Sequence, residues 1–353
     1  MSGGRKIGWR TVALAAACFF ALSGLPAFAQ TDVAALASYL GADREQRLID
    51  GAKKEGELTL YTSMQLESSA PLQKAFEEKY GVKVRAWRGS GKDILRRAIT
   101  EAQANRNDLD IVESDGFALE ALYRETLLES VKSPYHADLI PEALRPDGQW
   151  VGTRVNIFTG VYNTNLVKPE ALPKSYEDLL NPAFKGKLGI EADDYDWFGM
   201  LVGLLGEEKG VKLFRDIVAT NGMSVRKGHT LLTNLVAAGE VPIGLTVFMQ
   251  NADVAKSHGA PLDWFLIPPS IGRPNGIALA KRTPHPHAAL LFYDFMLSDG
   301  QQIMLKREFV PTSRKVPSIL SKIKLNFVDP AIVIDSGDKW QKLYNQVVRS
   351  AGR

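Results

Sequence analysis

Leu58-Thr59-Leu60-Tyr61, then Leu72, Phe76 and Tyr80-Gly81, then Val82-Lys83-Val84-Arg85-Ala86-Trp87 decide the fold class of this 353-residue chain. The first run is short and apolar, as a buried strand is. Leu72, Phe76 and Tyr80 recur every four residues, which sets one face of a helix, and Gly81 stops it. Val82, Val84 and Ala86 then alternate with charged or bulky neighbours, the period of a strand. Further along, Ile94, Leu95, Ala98, Ile99 and Ala102 share a second helical face. Residues 109–112 read as a third strand and 117–127 as a third helix. This strand–helix alternation predicts an α/β fold with a mostly parallel sheet flanked by helices.

In such sheets ligands sit beyond the carboxyl ends of the strands, against helix N-termini. Three loops occupy those positions. They offer Tyr61, Thr62 and Ser63; Ser90 and Gly91, with Lys92 beside them; and Ser114 and Asp115. Small and hydroxyl residues let a ligand approach backbone N–H groups. The same residues also cap helices without any ligand, and composition does not separate the two roles. Strands at 155–162, 188–190 and 241–248 and helices near 198–205 and 230–238 repeat the pattern. The stretch from Ser318 reads as largely helical.

Residues 1–29 read as a cleaved export signal. Arg5, Lys6 and Arg10 precede an apolar run over 12–25, and Ala27-Phe28-Ala29 forms an A-x-A site. The expected location is therefore the periplasm. Without that segment 43 Lys and Arg fall to 40, matching 40 Asp and Glu, so no nucleic-acid or anionic-surface partner is expected. Cys18, the single cysteine, leaves with it, which excludes thiol catalysis and cysteine-held metals. The remainder exceeds the roughly 250–300 residues that one core ordinarily serves, so two lobes are expected. No H-E-x-x-H or G-x-S-x-G is present, and no enzyme is expected.

Six ordered passages carry a family resemblance. They are Leu58 to Thr62; Phe76-Glu77-Glu78-Lys79-Tyr80-Gly81-Val82-Lys83-Val84; Gly152-Thr153-Arg154 with Val161-Tyr162-Asn163-Thr164; Leu172-Pro173-Lys174-Ser175-Tyr176-Glu177-Asp178-Leu179 before Pro182-Ala183-Phe184-Lys185-Gly186-Lys187; Ala238-Gly239-Glu240-Val241-Pro242-Ile243; and residues 287–301. The set resembles periplasmic solute-binding proteins of the type II fold, in the ferric-iron-binding-like branch. That resemblance implies lobes of 57–155 with 267–315 and of 156–266 with 316–353, after a lead-in over 30–56, joined by hinge strands. It implies a monomer that hands a small ligand to an ABC-importer permease, or a ligand sensor of the same fold. It also implies an arginine near the ligand, here Arg154. Ferric ion or a ferric chelate, with a synergistic anion, is the favoured cargo, and no resident cofactor is implied. Where many relatives carry a tyrosine pair, this chain reads Thr246-Val247-Phe248-Met249-Gln250. An organic anion (phosphonate, carboxylate, polyol or sugar phosphate) is the alternative.

Glu191-Ala192-Asp193-Asp194-Tyr195-Asp196-Trp197 follows a predicted strand where a second-lobe ligand loop belongs. Asp193, Asp194, Tyr195 and Asp196 offer hard oxygen donors suited to a metal. Glu191 and Trp197 are candidate ligand contacts, Trp197 by stacking. Capping of the following helix is the competing role. His229 reads as structural, and His285-Pro286-His287 as the start of a surface helix.

Overall fold

The computed structural model describes Met1 and residues 32–349; the expected export signal otherwise lies outside the described residues. Helices α1 (Val33–Ser38) and α2 (Arg44–Glu55) lead in, and Gly56, at φ 77°, ends α2. Then come β1 (Glu57–Thr62), α3 (Leu66–Tyr80), β2 (Lys83–Arg88), α4 (Gly91–Gln103), β3 (Ile111–Asp115) and α5 (Gly116–Arg124). The pattern of Leu72, Phe76 and Tyr80 is the buried face of α3, and Gly81 closes that helix in the left-handed region.

A short β4 (Leu128–Glu129) precedes the long β5 (Val151–Asn163). The alternation resumes with β6 (Leu188–Glu191), α6 (Tyr195–Leu205), α7 (Glu207–Asn221), β7 (Ser224–Arg226), α8 (His229–Ala237), β8 (Ile243–Phe248), α9 (Met249–Ser257) and β9 (Leu262–Phe265). The described chain ends through β10 (Ile271–Ala280), α10 (Pro286–Leu297), α11 (Asp299–Leu305), β11 (Val310–Pro311), β12 (Asn326–Phe327) and α12 (Pro330–Tyr344). The stretch from Ser318 is largely helical, as expected, with one interruption. One turn at Ile319–Ser321 gives way to β12, which pairs with β10, before α12 begins at Pro330.

The strands form the same arrangement twice. β2, β1 and β3 run parallel in that order, and β10 joins β3 antiparallel. β7, β6 and β8 likewise run parallel, and β5 joins β8 antiparallel. β5 links the halves: up to Ile157 it pairs with β10, and from Phe158 it pairs with β8. Each half has its own core. Phe76 packs edge-on against Phe292 and Phe295 at 5.0 and 5.5 Å in the first. Trp197 and Phe198 meet Phe214 at 5.7 and 5.4 Å in the second. Burying each such ring contributes about 1.5–3 kcal/mol. No helix of the described residues is long and apolar enough to cross a membrane.

Candidate functional site

The carboxyl ends of both parallel trios open onto one cleft of about 350 Å³. Ser90, Gly91, Lys92, Asp115 and Phe117 line the first wall; Asp193, Tyr195, Asp196 and Lys227 line the second; Arg273 and Pro274 of β10 join them. Lys92 reaches across, its Nζ 6.0 Å from the Tyr195 ring.

The first wall is built by capping. Ser90 Oγ accepts from the Asp93 N–H at 3.2 Å and the Ser90 N–H donates to Asp93 Oδ2 at 3.4 Å, a reciprocal box at the start of α4 that the Ser90 hydroxyl reinforces by donating to the same Oδ2 at 2.6 Å. Asp115 caps α5, its Oδ1 accepting from Ala118 N–H at 3.0 Å. Burial holds its carboxyl above the usual range. Gly91 is required where it stands, because a Cβ there would strike the Asp115 carboxylate. Ser114 is buried beside Asp115, its hydroxyl 3.5 Å from Asp115 Oδ2.

The first expected loop is a correction. Tyr61 is fully buried and donates to Glu101 at 2.7 Å, with the Arg97 guanidinium 4.5 Å over its ring. Thr62 donates to Glu113 at 2.5 Å, and the Ser63 N–H donates to the Glu113 carbonyl at 3.0 Å. None of the three is among the cleft residues; Glu101 and Glu113 hold the Tyr61 and Thr62 hydroxyls inside the fold. Arg154 is a second correction. It is buried against Glu113, with Asn275 Oδ1 at 3.4 Å and the Phe309 ring 5.1 Å away. Trp197 is a third: it is a core ring, 1% exposed, among Phe158, Tyr176 and Phe214.

The acidic run does not converge on one point. Asp193 is half-exposed, 3.9 Å from Lys227 Nζ, and Tyr195 faces the cleft. Burial and the Asp196 charge hold the Tyr195 phenol above its ordinary range. Asp196 is gripped by Arg273, Nε to Oδ2 at 2.6 Å and Nη2 to Oδ1 at 2.5 Å. Asp194 turns beneath the cleft floor, 3.0 Å from Arg273 Nη2. Burial pushes it up to about 7 despite Arg273. Glu191 accepts from Asp193 N–H at 2.5 Å and Gly228 N–H at 2.8 Å. Burial and Asp194 raise its carboxyl. Asp194, at the N-cap of α6, makes no side-chain cap bond, while Asp196 Oδ1 accepts from the first-turn Trp197 N–H at 2.8 Å.

Arg273 and Lys227 are absent from the expectations above. The signal for Arg273 was a single cation inside Ile271-Gly272-Arg273-Pro274, an otherwise apolar strand start. Its guanidinium lies 4.8 Å over Phe158 and 5.3 Å over Phe248, so cation–π attraction and two carboxylates hold it. His229 sits at the start of α8, Nδ1 2.9 Å from the Thr246 carbonyl, its ring 3.7 Å from Phe248. Burial and Arg273 push it down to about 4. His285 and His287 do not converge. They bond Asp110 at 2.9 Å and Glu55 at 2.7 Å.

A family model described as bacterial extracellular solute-binding protein matches residues 110–334. The chain belongs to that family. Iron uptake protein A1 of Synechocystis is 26% identical over 286 residues, 76% of this chain and 79% of that protein. The periplasmic binding protein AfuA from Actinobacillus pleuropneumoniae, solved with fructose-6-phosphate, superposes with TM-score 0.71 at 22% identity. That match covers 84% of this chain and 99% of the other. Trichodesmium IdiA (FutA), solved with iron and citrate, gives TM-score 0.69 at 21% identity, covering 83% and 99%. The solute-binding protein has the two-lobed type II periplasmic-binding fold expected from its passages.

Proposed function

We propose that this solute-binding protein is the periplasmic component of an ABC importer, capturing a ferric chelate between its lobes for a membrane permease and catalysing nothing. The observation that carries the reading is a cleft with hard oxygen donors on one wall and cationic groups on both. Asp193 and Tyr195 face the cavity, whereas Asp196 is committed to Arg273 and Asp194 lies below. Two donors are too few for a bare ferric ion, which favours charged oxygen ligands all round. A chelate brings its own carboxylates. Lys92, Lys227 and the N-terminus of α4 then receive that negative charge. The named iron protein of Synechocystis and the iron–citrate complex of IdiA support this cargo. The lobes, 57–155 with 267–315 and 156–266 with 316–353, act as a monomer that closes about β5 and β10.

The test is titration with ferric citrate. A visible charge-transfer band should grow with a Tyr195 phenolate. Tyr195→Phe should abolish the band, and Asp193→Ala should weaken binding about tenfold or more. A second reading, an organic phosphate, is favoured by AfuA with fructose-6-phosphate, since Lys92 and Lys227 on the cleft walls suit phosphate oxygens. Protein that stays colourless with ferric citrate and gains thermal stability with a sugar phosphate would establish that reading instead.

A further inference from the structure

Beneath the cleft floor, one donor atom each from Glu191, Asp194 and His229 lies within 4.8 Å of the others. The three come from separate places: the end of β6, the turn before α6, and the start of α8. His229 Nδ1 faces the Thr246 carbonyl at 2.9 Å. A carbonyl only accepts, so Nδ1 carries the hydrogen, and in the neutral ring Nε2 keeps its lone pair. Nε2 stands 3.5 Å from Asp194 Oδ1. A metal-binding histidine is oriented in this way, with its other nitrogen donating to a backbone carbonyl.

Two further observations point to a cation. Asp194 is 1% exposed; Arg273 holds its Oδ1 and the Thr246 hydroxyl acts on its carboxyl, but Oδ2 has no hydrogen bond of ordinary geometry, a costly state for a buried carboxylate oxygen. The local charge balances only if Glu191 and Asp194 hold protons. Glu191, Asp194 and Asp196 are largely withdrawn from water, yet Arg273 is the cation paired with them. Lys227 meets Asp193 near the surface instead. With all three acids ionised, the group carries two negative charges in excess.

We propose that Glu191, Asp194 and His229 form a divalent-cation site, distinct from the cargo cleft, that neutralises this excess and ties β6 to the starts of α6 and α8. One imidazole and two carboxylates suit zinc or manganese. Zinc bonds of about 2.0–2.2 Å place tetrahedral donors about 3.4 Å apart, so donors now within 4.8 Å of one another must draw together by up to about 1.4 Å. The site stands whether the cargo is a chelate or an organic phosphate, because none of the three residues lines the cleft.

The experiment incubates chelator-treated full-length protein with zinc chloride alone, removes excess by gel filtration, and measures retained metal and Tm. One zinc per chain and a Tm raised by several degrees are expected. Asp193→Ala should keep the metal. His229→Ala and Asp194→Asn, checked for native circular dichroism, should each retain at least tenfold less. Cobalt in place of zinc should give d–d bands in wild-type protein, a readout needing no variant. Retention of no metal would overturn the proposal, since the acids would then hold protons. Metal lost in Asp193→Ala but kept in His229→Ala would overturn it as well, by placing the ion in the cleft.

Discussion

Arg273 binds Asp194 and Asp196 while its guanidinium lies over Phe158 and Phe248. Removing one partner of a buried pair strands the other charge, which costs about 3–5 kcal/mol. Arg273→Ala should therefore lower unfolding stability by about 3 kcal/mol in urea. Arg273→Lys should recover part of it, because an ammonium lacks the planar fork that grips both Asp196 oxygens. A second residue sets part of the pH response. His136 lies against the Tyr293 hydroxyl at 2.9 Å, and burial pushes it from 6.5 down to about 4. Between those values the unfolded chain binds the extra proton, so stability falls as pH drops from 6.5 towards 4. Below that, this residue contributes no further loss. His136→Gln should flatten that stretch of the stability–pH curve measured by denaturant titration.

Among the elements, β10 is held on both sides, by β3 and β5, and its ladder to β5 slips between Asn275 and Gly276. A Cβ on Gly276 would run into the Val151 carbonyl. Gly276→Ala should cost about 1–3 kcal/mol, as overpacking does. Gly203 in α6 faces open space, so Gly203→Ala should stabilise by about 0.5–1 kcal/mol, through helix propensity and a stiffer unfolded chain. Both are read by chemical denaturation. Helices such as α3 were legible because their apolar spacing is a local property of the chain. The short β12 was not. Asn326 and Phe327 form a strand because β10 offers a partner at Ile271 and Gly272, and that pairing has no local signature.

At the scale of the whole molecule, two parallel trios and two crossing strands leave the cleft between separate cores. If the lobes close on cargo, the radius of gyration from small-angle scattering should fall on adding ferric citrate. An unchanged profile at saturating ligand would argue against hinge closure. The alternation of strand and helix patterns does not give the strand order, but it implies a cleft at the strand ends, so the location of the candidate site was legible. The residues facing it were only partly so. Ser90, Gly91, Asp115, Asp193, Tyr195 and Asp196 do line the cleft, whereas Tyr61, Arg154 and Trp197 point into the protein.

The amino-acid order alone settled the fold class and the loops from which a site is made, because hydrophobic period and turn residues act between near neighbours. Only the folded chain decided which polar side chain meets which. Glu101 claims Tyr61, Glu113 claims Arg154, and Arg273 claims two acids about eighty positions away. Charges buried together must pair or be neutralised, and that requirement acts across space, where spacing along the chain carries no record of it.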